Sequence, residues 1–236
     1  MNSIALNIDC MVGMQQYPDK YFDLAIVDPP YGIDVANMPY LNAKTTVKQK
    51  NGKRLGTGKK GYTTGDWDKE PPSQAYFEEL KRVSHDQIIF GIDYMQWENV
   101  GPGRIKWDKG FAAGVSFGRY EIAYCSMTNT TDILPLLWAG MQQAKSLSEP
   151  MTAQGNKKLN EKRIHPCHKP ILLYQALISK YSHTGGRILD THLGGGSSRI
   201  AAYSMDRDFV GFEINAAYFA AQEERFRQFT SQERLL

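Results

Sequence analysis

Short apolar runs bounded by turn residues alternate along this chain with stretches whose apolar positions recur at helical spacing. That is the pattern of a mostly parallel sheet covered by helices. Strands are predicted at 4–8, 24–27, 87–91, 104–107, 121–125, 187–189 and 208–212, and helices at 73–83, 170–181, 197–205 and 216–229. The first of these helices opens on Pro71, Pro72 and Ser73, an entry signal, and sets Tyr76, Phe77, Leu80 and Val83 on one face, which reads as core. Segments 32–66 and 126–164 have the weakest periodicity and are expected to be insertions into a single domain spanning 1–236. The run Ile133, Leu134, Leu136, Leu137, Trp138 reads as core or as an oligomer contact.

Composition narrows the class. With 42% hydrophobic and 22% charged residues in 236, the chain reads as folded rather than disordered. It has no run of about 18 apolar residues, and Asp9 interrupts a start that lacks the basic and long apolar regions of a secretory signal. A cytoplasmic protein without a membrane partner is the expectation. Cys10, Cys125 and Cys167 are odd in number and never spaced Cys-x-x-Cys, so free thiols are expected rather than disulfides or a zinc site.

The net charge of +3 is mild, but its distribution is uneven. Lys44, Lys48, Lys50, Lys53, Arg54, Lys59 and Lys60 follow one another between positions 43 and 63 with no acidic residue among them. Glycine-rich and without apolar period, this segment reads as a mobile loop able to track phosphates, or else as a plain solvated loop. A smaller cluster follows at Lys157, Lys158, Lys162 and Arg163.

Two constellations carry candidate chemistry. In the first, the apolar strand before Asp28 runs into Asp28-Pro29-Pro30-Tyr31. Each proline fixes its own φ and pushes the preceding residue toward extended backbone, so Asp28 and the Pro29 carbonyl are held in one stiff turn. Turns at the carboxyl edge of an open α/β sheet are where ligands bind. Two rigid acceptors beside an aromatic ring suit a planar group bearing an exocyclic NH2. The structural alternative is a simple strand cap.

In the second, the strand ending at Asp190 enters Thr191-His192-Leu193-Gly194-Gly195-Gly196-Ser197-Ser198, then a helix and a further strand ending at Glu213. A glycine turn between strand and helix lets backbone approach a nucleotide-like ligand. An acid about 20 residues on can accept from both ribose hydroxyls. Gly194 and Gly196 are spaced Gly-x-Gly, with Ser197 and Ser198 following them into the helix.

With both constellations in hand, the sequence resembles the S-adenosylmethionine-dependent amino-methyltransferases of DNA, which methylate adenine N6 or cytosine N4. The Asp-Pro-Pro-Tyr turn precedes the glycine turn by roughly 160 residues, an order similar to the circularly permuted β subgroup. Ile8-Asp9-Cys10, Trp107-Asp108-Lys109 and His165-Pro166-Cys167-His168-Lys169-Pro170 resemble the family's Gly-Asp-Cys, Trp-Asp-Lys and His-Pro-Thr-Gln-Lys-Pro.

The resemblance implies a Rossmann-like methyltransferase fold, double-stranded DNA as partner, S-adenosylmethionine as cofactor and no metal. It implies that Asp28 and the Pro29 carbonyl hold the target amine, followed by Pro30 and then Tyr31, which stacks on a flipped base. For the cofactor it implies Asp9 near the adenine, Lys169 at the methionine end, and Asp190, His192, Leu193, Gly194, Gly196 and Ser198 along the pocket. Glu213 falls to the ribose. The acid at position 28 favours adenine, since the cytosine enzymes more often carry serine there. A restriction–modification setting and a homodimer belong to the same expectation. The chain departs from the family's Asp-Pro-Phe-x-Gly-Ser-Gly-Thr-Thr at Thr191, His192, Gly195, Ser197 and Ser198, and has His168 where glutamine is common.

Other readings stay open. Pro166-Cys167 and Glu98-Asn99-Val100 match two short motifs of cytosine C5-methyltransferases, in reversed order. His165, Cys167 and His168 could be taken for metal ligands, but Pro166 and Pro170 favour a turn. Asp66-Trp67-Asp68 reads as a loop re-entering the fold rather than a cation site. A catalytically silent DNA-binding protein, or a methyltransferase of RNA or protein glutamine, would share parts of the pattern.

Overall fold

The computed structural model describes residues 2–38, 45–48, 54–57, 66–110, 118–153 and 155–233. In chain order its strands are β1 (Ser3–Leu6), β2 (Phe22–Val27), β3 (Thr45–Lys48), β4 (Arg54–Thr57), β5 (Ser84–Phe90), β6 (Arg104–Asp108), β7 (Tyr120–Cys125), β8 (Thr131–Pro135), β9 (Trp138–Ala139), β10 (Gln142–Gln143), β11 (Arg187–Asp190) and β12 (Asp208–Phe212). The helices are α1 (Cys10–Met14), α2 (Gln74–Val83), α3 (Ile171–Tyr181), α4 (Ser197–Ser204) and α5 (Ala216–Glu233). No helix among the described residues is long and apolar enough to cross a membrane.

Eight strands form one sheet in the order β1-β12-β11-β2-β5-β7-β6-β8. Every pairing is parallel except the two made by β7, which runs against both β5 and β6. The central strands are apolar on both faces, as strands sandwiched between helix layers must be. Leu24 and Ile26 of β2, with Ile88 and Phe90 of β5, pack with Leu173, Leu177 and Ile178 of α3 and Ala201 and Ala202 of α4. Ala25, Val27 and Ile89 face the opposite layer, with Met14 of α1 and Phe77, Leu80 and Val83 of α2.

The segment after β2 therefore crosses one face and the helix after β11 covers the other. The ends of β11 and β2 become the point where the winding reverses and a crevice opens. The strand between Gly186 and Thr191 ends on Asp190, and the strand before Asp28 ends on Val27, so both candidate constellations lie at this one edge.

Three expectations need correction. The basic segment is not uniformly loop: β3 and β4 pair antiparallel, Thr45 opposite Thr57 and Lys48 opposite Arg54. The β-branched run Thr45-Thr46-Val47 supplies a strand signal that the flanking charges mask. Lys44, Lys50, Lys53, Lys59 and Lys60 lie outside the described residues. The region 126–164 is also not wholly an insertion, because β8 belongs to the main sheet and pairs with β6. Its alternating burial arises because it is an edge strand: Ile133 is 70% exposed while Leu136, Leu137 and Trp138, just beyond its end, are core. Finally, α2 begins at Gln74, and Ser73 takes the cap position without a side-chain capping bond.

Candidate functional site

Ile188 and Leu189 of β11 pair with Leu24 and Ala25 of β2, so the two segments, distant in sequence, leave the sheet side by side. The turn after β2 is held from below by Asp68. Its buried carboxylate accepts from the backbone N–H of Tyr31 (2.7 Å), Gly32 (3.2 Å) and Val35 (2.8 Å). Asp68 thus organises the turn that the sequence assigned to Asp28 and the prolines alone. Gly91, at the end of β5, has φ +68°, and a β-carbon there would lie 2.2 Å from the Tyr31 ring. A side chain at 91 would expel the ring from its seat. Tyr31 also stacks on the exposed ring of Tyr94, with centroids 5.3 Å apart and planes 9° from parallel.

Asp28 sits in a buried charge cluster. The Tyr31 hydroxyl lies 2.7 Å from Asp28 Oδ1 and 2.9 Å from Glu121 Oε1. Lys169 Nζ pairs with Asp28 Oδ2, and at 2.8 Å with Glu121 Oε1, while Lys109 closes on Glu121 Oε2 at 2.9 Å. Burial, reinforced by the charge of Glu121, pushes the Asp28 carboxyl up against the opposing pull of Lys169. Glu121 is largely withdrawn from solvent too, but Lys169 and Lys109 outweigh that and bring it down to about 2. Burial works against the charge of Lys169 as well, yet the two carboxylates hold the ammonium form. Motif reading missed Glu121. The signal was present as a carboxylate at the head of the apolar run Ile122-Ala123-Tyr124-Cys125, where an unpaired charge would be expensive.

The glycine turn is equally well defined. Glu213, at the end of β12, accepts from the N–H of Gly194 (2.8 Å) and of Asn215 (2.8 Å), which ties the turn to the neighbouring strand. Leu193 N–H donates to the Phe212 carbonyl at 2.9 Å, and Leu193 turns its side chain into the core. Gly194 and Gly196 adopt φ of +50° and +70°, so the turn uses glycine conformations at both positions. Ser198 donates to Asp190 Oδ2 at 2.5 Å and the His192 N–H to Oδ1 at 3.0 Å. Asp190 is buried and has no ion pair among the described residues; burial raises its carboxyl to about 7.

His192 stands where the resembled pattern has phenylalanine, and it serves as an aromatic plug. Its ring meets Tyr76 edge-on at 5.5 Å. Its Nδ1 lies 2.9 Å from Thr191 Oγ1, which in turn is 2.6 Å from the Tyr76 hydroxyl. Its Nε2 is 4.0 Å from Cys10 Sγ. Burial lowers the imidazole to about 4 and raises the Cys10 thiol to about 12, so both groups are neutral near pH 7.

The remaining expected residues separate into two sets. Asp9 caps α1 through the N–H groups of Met11 and Val12, which occupies one carboxylate oxygen. His168 pairs with Glu161 at 2.8 Å, and Cys167 N–H donates to His165 Nδ1 at 3.2 Å, so these side chains build a turn. Among the described residues no group of three or more His, Cys, Asp or Glu is arranged to hold a metal ion. Lys158 and Lys162 are exposed, and the Arg163 guanidinium lies over the Trp138 ring at 4.6 Å.

Comparison with known proteins matches residues 107–224, half of the chain, to the family described as DNA methylase. The chain is 23% identical over 227 residues to the candidate methylase YubD of Escherichia coli (strain K12), covering 92% of this chain and 87% of that protein. A shorter stretch of 61 residues is 33% identical to the type II methyltransferase M.HpaI of Haemophilus parainfluenzae, covering 26% of this chain and 19% of that one. Among solved structures, the PvuII DNA methyltransferase (cytosine-N4-specific) superposes with a TM-score of 0.56 at 12% identity, over 98% of this chain and 91% of that chain. The M1.HpyAVI–SAM complex gives 0.53 at 17%, over 94% and 98%. At these identities the likeness is one of fold, an α/β Rossmann-like sheet of the methyltransferase type.

Proposed function

The chain belongs to the DNA methylase family, and we propose that it transfers a methyl group from S-adenosylmethionine to the N6 amine of an adenine flipped out of double-stranded DNA. The observation that carries this reading is the adjacency of the Asp28 turn and the Asp190–Gly196 turn at neighbouring ends of β2 and β11. The motif order, with the glycine turn late in the chain, fits the permuted β subgroup.

The residues present suit the cofactor. Asp190 is a buried carboxylate without a cation partner among the described residues, and a ligand carrying an ammonium and a sulfonium supplies positive charge of the kind it lacks. Glu213 uses one lone pair on each oxygen for backbone N–H groups and keeps others for ribose hydroxyls. Gly194, Gly196 and Ser198 would line the same pocket, with Asp9 and the His192 plug at its adenine side. When bound, S-adenosylmethionine supplies a methyl group activated by the positive sulfur.

The chain's own residues have the harder task of making an aromatic amine nucleophilic. Its lone pair is delocalised into the ring. Acceptance of its two hydrogens by Asp28 and the Pro29 carbonyl favours a pyramidal nitrogen and frees the pair. Lys169 and Tyr31 already fix the Asp28 carboxylate, so orientation is set before the substrate arrives. Removing a base from the duplex costs a few kcal/mol, which is offset when the base takes the place of the exposed Tyr94 ring against Tyr31. The basic hairpin region then contributes phosphate contacts.

A second reading, cytosine N4, uses the same two acceptors, and the likeness to a cytosine-N4-specific enzyme favours keeping it. One assay tests both: incubation with labelled S-adenosylmethionine and mixed-sequence DNA, followed by nucleoside analysis. Label in N6-methyladenine supports the proposal, and label in N4-methylcytosine supports the second reading. No label in DNA, with label in RNA or protein, overturns both. Asp28→Asn should lower transfer by about 100-fold or more while leaving cofactor binding intact.

A further inference from the structure

Methyl transfer to a neutral amine creates a surplus proton. The nitrogen pair forms the N–C bond, the C–S bond breaks with its pair going to sulfur, and the nitrogen is left positive until an N–H proton departs. Asp28, half-buried and under the proposed function positioned on that amine, is the base for this proton, but it must be emptied before the next cycle.

The geometry around it supplies a route. Asp28 Oδ1, the Tyr31 hydroxyl oxygen and Glu121 Oε1 stand in a row with separations of 2.7 and 2.9 Å. The tyrosine hydroxyl carries one proton, which it can donate to either carboxylate in turn, and its lone pairs can accept from the other side. Lys169 Nζ touches all three groups, pairing with Asp28 Oδ2 and with Glu121 Oε1 at 2.8 Å and donating to the Tyr31 oxygen at 3.3 Å, so its charge stays close to both carboxylates. The hydroxyl thus links Asp28 to Glu121 as both acceptor and donor.

We propose that Tyr31 and Glu121 form a relay that takes from Asp28 the proton released by the methylated amine and passes it to solvent. The amine proton moves to Asp28. The Asp28 carboxyl proton moves to the Tyr31 oxygen while the tyrosine's own proton moves to Glu121 Oε1. Glu121 then releases it to water, and every group returns to its starting state. The far end suits release: the Glu121 side chain is 17% exposed and faces Lys109, itself 19% exposed. Lys109 and Lys169 keep Glu121 acidic, so it does not retain the proton, while Asp28 is pushed the other way. Among the described residues, Asp190, Cys167, Tyr76 and Tyr174 also feel the charge of Asp28. Burial holds all four in their neutral forms more firmly than usual.

The inference rests on the proposed function and is tested on this chain by methylation in H2O and D2O, comparing single turnover with repeated turnover. Tyr31→Phe keeps the ring and removes the hydroxyl; Glu121→Gln keeps the shape and removes the base. Each should slow repeated turnover by about tenfold or more, change its solvent isotope effect and leave the single-turnover rate much less affected. Glu121→Asp, which keeps a base, should recover part of the repeated-turnover rate. Equal slowing of single and repeated turnover with an unchanged isotope effect, or no slowing, overturns the relay.

Should the wild type methylate no DNA, the proposed function fails, and the shared proton is read separately by difference infrared spectroscopy. A protonated-carboxyl band that grows on acidification, disappears in Asp28→Asn and shifts in Tyr31→Phe supports the row. A band indifferent to Tyr31→Phe overturns it.

Discussion

The His168 ring occupies the space that a side chain on Gly195 would need: a β-carbon at 195 would lie 2.4 Å from His168 Nδ1. The ring is pinned by Glu161 at 2.8 Å, by Ser197 Oγ at 3.2 Å and by a stack on Trp138, so it has little room to yield. Both positions depart from the resembled pattern, which has glutamine at 168 and serine at 195, and the two departures answer each other. Gly195→Ser alone is expected to destabilise the fold by about 1–3 kcal/mol through overpacking. His168→Gln in the same chain should recover much of that. A double-mutant cycle from urea unfolding measures the coupling, and additive effects would refute the contact.

The pH dependence of stability has a definite sign. His192 titrates near 4 in the fold against 6.5 in an unfolded chain. The unfolded chain takes up the proton first, so this contribution is present above about 6.5 and is lost as pH falls through 4. Asp190 runs the other way: raised to about 7, its contribution is present below the ordinary carboxylate value and is lost as pH rises through 7. His192→Phe removes only the first. The drop in melting temperature between pH 7 and pH 5 should shrink by about 2–5 °C. An unchanged drop would mean that the ring is not buried as a neutral plug.

Cys167 separates direct amine methylation from attack on a pyrimidine ring. Burial raises its thiol, and the neighbouring Asp28 adds to the effect, so little thiolate is present at neutral pH. Cys167→Ser should leave the single-turnover rate within about threefold of wild type. Abolition of transfer would revive the cysteine mechanism.

The basic region invites a test by salt. Replacing Lys44, Lys48, Lys50 and Lys53 together should weaken DNA binding uniformly across sequences and reduce the slope of log K against log salt by roughly 3 to 4. Sequence preference that collapsed with these changes would contradict a phosphate-tracking role.

The frame and its two turns were legible because they obey local rules. Apolar runs ending in Asp28 and Asp190 name the strand ends, and glycine spacing names the turn. What was not legible depends on partners brought from elsewhere in the fold. Asp68 looked like part of a passing loop, yet it holds three N–H groups of the Asp28 turn. Glu121 announced itself only as a charge in an apolar strand, and its meaning required β7 to run in reverse beside β5. The strand at 45–48 was hidden because charge patterning is the stronger local signal, while its partner at 54–57 is seen only through pairing.

Among the described residues the outermost strand β1 has β12 as its one sheet neighbour, and the Asn7 side-chain amide reaches the Glu213 carbonyl across 206 residues of chain. On a ribosome adding about 5–20 residues each second, the nascent amino-terminal strand waits on the order of ten to forty seconds before its mate emerges. Until then Ile4 and Leu6 must stay soluble without a ladder. Truncations or stalls that withhold β12 should leave a collapsed, holdase-dependent species in place of a smaller native body.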